Sequence, residues 1–329
     1  MISASPLTGG IIINVNKDFD AVTFGYSAID YLGIVPHFPG ENLKLEMERF
    51  EIQGGGPAAT AAVTLGRLGL KTAYSGIVAD DDFGSAMLER LESENIDTAS
   101  VIIEPNARSQ FAFIMVDRET GKRTILWTRG TLPFISPEQV NEELILSSSG
   151  LLVDTLEPEA AAHAARIAKD NNIPVVIDAG TLREGVENIL PFCDYIAASE
   201  TFASQISGNG TVEDALKALS SYGPRASVVT LGEAGCACME SGRIFKEPGF
   251  RVESVDTTGA GDVFHGAFLF GVLQKWDIKR ICIFSNAVAA MKCRKLGGRA
   301  GIPDIDQALE FLKENRPGIN FEITFPGNN

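Results

Sequence analysis

From Leu151 onward, short apolar runs alternate with amphipathic stretches, and this rhythm limits more than any other feature what the chain can fold into. Leu151-Leu152-Val153 precedes a helical stretch from Glu159 to Lys169. Val175-Val176-Ile177 and Tyr195-Ile196-Ala197-Ala198 follow, then a helical Val212 to Ser221 and the run Val228-Val229-Thr230-Leu231. Apolar runs without polar alternation suit strands buried on both faces, and strands separated by helices pair in parallel. The pattern predicts an α/β fold: a mostly parallel sheet with helices on both faces, its ligands beyond the carboxyl ends of the strands.

Two segments break the rhythm. Phe111 to Val116 and Arg123 to Trp127 are β-rich and flank the polar turn Asp117 to Lys122, which reads as a hairpin. Ile34 to Ile52 is likewise strand-like and follows an early core strand, Val22 to Gly25. Together they predict a small β lid over about 31–53 and 106–130 of one domain spanning 1–329; the alternative is that each insertion extends an edge of the main sheet. The tail from Arg316 to Asn329, rich in Pro, Gly and Asn, is expected to be loosely held.

Charge and cysteine usage narrow the partners. A formal charge of −15 argues against a broad nucleic-acid or anionic-membrane surface, because such partners need clustered cations. The five cysteines form an odd set without a Cys-x-x-Cys pair, so they read as reduced core residues. Met1 to Gly10 has no basic region, Ile11 to Ile13 is too brief for a secretory core, and charged residues interrupt every membrane-length window. The expected setting is cytoplasmic.

The strongest site signal is Asp256-Thr257-Thr258-Gly259-Ala260-Gly261-Asp262, followed by the apolar and small residues Val263 to Phe270. This is a loop feeding a buried helix. Thr258 is placed to cap the first turn, while Gly259 and Gly261 remove side chains so that backbone amides and the positive helix end can face a phosphate. Asp262, in the first turn, is the candidate base for a hydroxyl proton. The plainer alternative is that Gly-x-Gly serves close packing. Phe264 stands where a dinucleotide fingerprint needs its third glycine, and no P-loop motif occurs. A second stretch, Gly54-Gly55-Gly56-Pro57 followed by an Ala-rich run to Gly69, predicts a buried helix with Pro57 in its first turn and Gly69 as its stop. Alone, it reads as core more readily than as a site.

Taken together, the two stretches resemble the signatures of the PfkB, or ribokinase-like, carbohydrate kinase family, and the resemblance spans nearly the whole chain. It implies ATP- and Mg²⁺-dependent transfer of a phosphoryl group to a hydroxymethyl group of a sugar. By resemblance Asp262 is the base, and the amides of Gly259, Ala260 and Gly261 form an anion hole. Asp30 grips vicinal sugar hydroxyls, and Gly55 and Gly56 lie against the sugar. Thr230 and Gly232 meet the nucleotide phosphates, and Asn286 lies near adenine. The backbone carbonyls of Asp256 and Thr258, with Gly297 and Gly301, resemble a loop that binds a monovalent cation such as K⁺. A homodimer through the lid is also implied, with Phe111, Phe113 and Ile125 as candidate contacts.

Some positions depart from the family pattern. Ala59 stands where many members have a sugar-touching Asn, and Ser199-Glu200-Thr201-Phe202 replaces an Asn-x-x-Glu motif that organises Mg²⁺, with Glu200 as a substitute. The Gly54 to Ala62 stretch, Ser199-Glu200 and Gly297 to Asp304 look most like the sulfofructose kinase branch. A sulfonate needs cations in the pocket, and Lys44, Arg108 and Arg129 in the expected lid are candidates, although a solvated lid surface is the simpler reading of each charge. The substrate therefore stays open between a neutral sugar, a sugar phosphate or sulfonate, and a nucleoside, with a non-catalytic sugar-binding regulator as the alternative outside catalysis. His265 reads as a packed core histidine, and Asp80-Asp81-Asp82-Phe83-Gly84 reads as a capped surface turn.

Overall fold

A computed structural model describes residues 17–324. The expectation for Ile11 to Ile13 falls outside them. β1 (Ala21–Phe24) opens the central sheet, and the chain then leaves it for β2 (Ala28–Val35) and β3 (Arg49–Gly55). It enters α1 (Pro57–Arg67) and returns as β4 (Thr72–Ser75). A side unit follows, made of β5 (Ile77–Ala79), α2 (Asp82–Glu92) and β6 (Ile102–Glu104), and after it the hairpin β7 (Phe111–Asp117) and β8 (Arg123–Thr128). Then come α3 (Glu142–Leu146), β9 (Leu151–Asp154), α4 (Pro158–Asp170), β10 (Val175–Ala179), β11 (Tyr195–Ala198), α5 (Glu200–Ile206), α6 (Val212–Ser220) and β12 (Ala226–Thr230). The hairpin β13 (Cys236–Glu240) and β14 (Arg243–Glu247) precedes α7 (Ala260–Leu273), α8 (Ile278–Lys292) and α9 (Ile305–Asn315).

The central sheet has the order β14-β13-β12-β11-β10-β9-β1-β4, parallel from β12 to β4 and closed at one edge by the antiparallel β13–β14 hairpin. Alternate residues of each strand feed two separate cores. Leu152 and Val176 pack under α1, α7 and α8, whereas Leu151, Val153, Val175 and Ile177 pack under α4 and α6. This is why the strands carry no polar alternation. Helix α7 is buried from Val263 to Gly271, and burial of each of its large apolar side chains contributes ~1.5–3 kcal/mol. Gly266 lets it approach α1 closely, since a Cβ there would lie 2.9 Å from the Ala61 carbonyl and from Thr64 Cβ.

The lid is a separate four-stranded sheet, β3-β2-β7-β8. Its bounds differ from those read in the sequence. The strand begins at Ala28, so Asp30 lies on the lid itself, and Ile34 to Ile52 is not continuous: residues 36–48, with Pro36, Pro39 and Gly40, interrupt it because prolines cannot donate to a ladder. The tail also differs. Ile319, Phe321 and Ile323 pack on the core, and the Trp276 indole donates to the Glu322 carbonyl at 3.1 Å. Among the described residues no helix is long and apolar enough to cross a membrane.

Candidate active site

The lid and the carboxyl ends of β9 and β10 enclose a cavity of about 320 Å³ that Asp30 and Asp262 both line. Pairing of β2 with β3 sets Ala28 opposite Gly55 and Asp30 opposite Gln53, so the Asp30 side chain points from the lid toward the cavity. Gly55 is needed for this, because a Cβ on it would collide with the Asp30 carboxylate. Gly56 is held at φ 86°, with Tyr26 O only 2.6 Å from where its Cβ would stand. That conformation is cheap only for glycine. Burial pushes the Asp30 pKa up to about 7; the buried Arg299 opposes this, and the charges of Asp262 and Asp256 add to it. Arg299 itself donates to the Gly55 carbonyl at 2.8 Å, which fixes the glycine turn.

Across the cavity, Gly259 is the N-cap of α7 at φ 72°, in the left-handed region, and a Cβ there would come within 2.9 Å of Gly298 Cα. Thr258 does not cap the helix. Its amide and hydroxyl instead donate to Asp256 Oδ1, at 2.8 and 2.7 Å, because the turn points the side chain back along the loop. The start of α7 has no side-chain cap, and of its first residues Gly259 and Asp262 line the cavity. Of the three expected anion-hole amides, that of Ala260 is already taken by the Thr257 carbonyl at 3.2 Å. Among the described residues, those of Gly259 and Gly261 have no protein acceptor, nor has that of Asp262.

Asp262 is half-buried at the cavity wall. Burial and the charge of Asp178 raise its pKa above the usual carboxylate range, against the pull of His265, Arg123 and Lys292. His265 Nδ1 lies 2.8 Å from Asp178 Oδ2, without the alignment of a hydrogen bond. Burial disfavours a charged imidazole there, but Asp178 and Asp262 more than offset it and raise its pKa. His265 is thus packed against a carboxylate.

The sequence reading passed over Asp154 and Asp178 as site residues. They end adjacent strands in register and both line the cavity. Asp154 Oδ2 accepts the Tyr26 amide at 2.7 Å and the Ala58 amide at 3.3 Å, and Oδ1 accepts the Leu156 amide at 2.9 Å. It ties the start of α1 to the β1–β2 turn, and burial pushes its pKa up to about 7. The available signal was an apolar strand run that ends in aspartate at both positions.

The cations at the cavity are not those expected. Lys44 is exposed on the 36–48 segment and Arg108 is exposed beside Thr131; neither lines the cavity. Arg129 is committed to Glu157 and to the Leu156 carbonyl. Two other arginines stand at the mouth instead. Arg123 projects from β8 and donates to Thr257 Oγ1 at 2.6 Å, and Arg183 lies over the Trp127 ring, 5.3 Å from its centroid.

The residues read as nucleotide contacts lie beyond the ends of β11 and β12. Ser199 caps α5, accepting the Phe202 amide at 3.1 Å and donating to the Gly180 carbonyl at 2.6 Å, and Glu200 follows it exposed. Thr230 ends β12, and Gly232 turns the chain at φ 55° with open space around it. Asn286 spends its amide on the β14 end, 3.3 Å from the Glu247 carbonyl and 3.5 Å from that of Pro248. Among the described residues there is no group of three or more His, Cys, Asp or Glu that could hold a metal ion.

Of the carbonyls expected to hold a monovalent cation, that of Asp256 already has a cation of the protein before it. The Asp256 carboxylate is used as well, Oδ1 by Thr258 and Oδ2 by the Gly297 amide at 2.8 Å. Its backbone carbonyl accepts from the Lys292 ammonium at 2.9 Å. Gly301 backs onto the Lys292 carbonyl so closely that a Cβ would collide with it.

A sheet covered on both faces, a β lid carrying one carboxylate, and a second carboxylate at an open helix start define a ribokinase-like kinase. The pfkB family carbohydrate kinase profile matches residues 18–305, and the chain belongs to that family. It is 31% identical to a ribokinase of Haemophilus influenzae over 86% of this chain and 95% of that one. Against a probable fructokinase-2 of Arabidopsis thaliana it is 30% identical, over 89% and 95% of the two chains. The crystal structure of a putative ribokinase from Agrobacterium tumefaciens superposes with a TM-score of 0.82 at 29% identity, covering 89% of this chain and 97% of that one. The protein is an ATP-dependent carbohydrate kinase.

Proposed function

We propose that the protein phosphorylates a hydroxymethyl group of a sugar, with Asp262 as the base. The observation that carries this reading is the single cavity that Asp30, Asp262 and Gly259, the N-cap of α7, all line. Asp30 accepts hydrogen bonds from two sugar hydroxyls and so holds the ring. Asp262 takes the proton of the attacking hydroxyl as its oxygen bonds to the γ-phosphorus of MgATP, and the bridging bond to the β-phosphate breaks with its electron pair leaving on ADP. The amides of Gly259 and Gly261 carry the negative charge on the phosphoryl oxygens, where the low dielectric of a closed cavity makes them most effective. Thr230, Gly232, Ser199, Glu200 and Asn286 form the nucleotide side, and pairs of chains join through the lid.

A second reading concerns the substrate. Arg123 and Arg183 at the cavity mouth favour a sugar that carries an anion, a phosphate or a sulfonate as in the sulfofructose kinase branch, and Ala59 in place of a sugar-touching Asn weakens a ribose-like mode. One set of assays tests both. Asp262→Asn should lower kcat by about 10³-fold or more while nucleotide binding stays near wild type, and wild-type kcat should fall as pH drops below about 6, where the raised pKa protonates the base. Wild-type turnover in Asp262→Asn would remove Asp262 from this role. Across ribose, fructose, fructose 6-phosphate and sulfofructose, the highest kcat/KM on a neutral sugar would overturn the anionic reading alone.

A further inference from the structure

Lys292 is fully buried at the last turn of α8, where a lysine would ordinarily reach solvent to complement the helix dipole. Its ammonium instead turns inward and donates to the Asp256 carbonyl at 2.9 Å. Among the described residues no carboxylate lies within ion-pair distance of it. Burying an ammonium costs several kcal/mol unless the surroundings return it, and one hydrogen bond to a carbonyl does not. The return must come from the negative field around it. Burial lowers the Lys292 pKa and the charge of Arg123 adds to this, while Asp256, Cys293 and Asp262 act in the sense that favours the charged form. The segments on either side are cross-tied, with the Asp256 carboxylate joining Thr258 to Gly297 and Gly301 closing against the Lys292 backbone. An ammonium has the charge, and about the size, of a potassium ion.

We propose that Lys292 is a built-in monovalent cation: its ammonium orders the 256–261 loop and so positions the Gly259 and Gly261 amides, and the enzyme needs no K⁺. Lys292 touches no substrate and acts through the loop, as a positioning residue. The inference rests on the reading of those amides as the anion cradle; the melting comparison below reports whether a cation binds independently of that reading.

The test uses the full-length enzyme at fixed ionic strength in tetramethylammonium, sodium or potassium chloride. Wild-type kcat should agree within about twofold in the three salts, and its melting temperature should not rise with potassium concentration, since no ion is taken up by the native state. Lys292→Met, which keeps the length and removes the charge, should lose about tenfold or more in kcat with a smaller change in KM, and potassium or methylammonium should restore part of kcat. Activation of the wild type by more than about fivefold in potassium, or a potassium-dependent melting shift, overturns the proposal. So does a Lys292→Met enzyme with unchanged kcat, or one whose loss neither cation repairs, which would leave Lys292 a packing residue. Should Lys292→Met not fold, the wild-type salt comparison decides alone.

Discussion

Asp30 and Gly55 act as one unit. The carboxylate can face the cavity only because the neighbouring residue on the paired strand has no side chain. Gly55→Ala puts a methyl group into the carboxylate, which must then rotate or push β3 outward. Either movement misplaces the group that holds two hydroxyls. The expected result is a KM for sugar raised about tenfold, equivalent to about 1.4 kcal/mol, with kcat reduced less and nucleotide affinity unchanged. Steady-state kinetics on the purified variant reads this directly, and an unaltered sugar KM would detach Asp30 from sugar binding. The need for glycine at this point is not visible in the residue string, since Gly54-Gly55-Gly56 reads equally well as a turn before a helix. The burial of Asp30 is hidden too: family resemblance picks it out as a sugar contact, but in Ala28-Ile29-Asp30-Tyr31 a polar residue in a strand looks like one facing water.

At the scale of elements, the two glycine stretches meet because α1 and α7 pack side by side. Gly266 sets how close they come, lying against the Ala61 backbone and Thr64. Gly266→Val would force the helices apart at a point fewer than two turns from Asp262. Overpacking of this kind costs ~1–3 kcal/mol, and urea denaturation should show the midpoint falling with an unchanged slope. Because the α7 start moves with the helix, kcat should fall as well. A variant of wild-type stability would mean that the helices slide without cost. Helix α7 was legible from its loop and its unbroken apolar run, and the parallel strands from theirs. The lid limits were not, because residues 36–48 carry apolar side chains but lack the hydrogen-bonding continuity of a strand. Lys292 was not legible either: a lysine in the last turn of a helix, in Met291-Lys292-Cys293, has the pattern of a solvated cation, and only the fold turns it inward.

For the whole molecule, the lid has two faces with different tasks. Strand register sends Asp30, Ala112, Ile114, Ile125 and Trp127 toward the cavity, and Tyr31, Phe50, Ile52, Phe113 and Leu126 to the opposite side. Ile125 therefore belongs to the cavity and not to a subunit contact, whereas Phe111 and Phe113 keep the outward orientation. On that outer face Phe50, Ile52 and Leu126 are 46%, 40% and 59% exposed. A contiguous apolar strip exposed to water is costly, and a second copy of the same strip is the partner that symmetry supplies at once. The strip lies on the reverse of the strands that carry Asp30, so pairing would stiffen the lid that holds the sugar. Leu126→Asp places like charges across a two-fold contact without altering any cavity residue. Light scattering should find the wild type at twice the chain mass and Leu126→Asp at the chain mass, with a raised sugar KM in the monomer. A wild type that scatters as a single chain at micromolar concentration would remove the lid from any role in assembly and leave its outer face without a partner of its own kind.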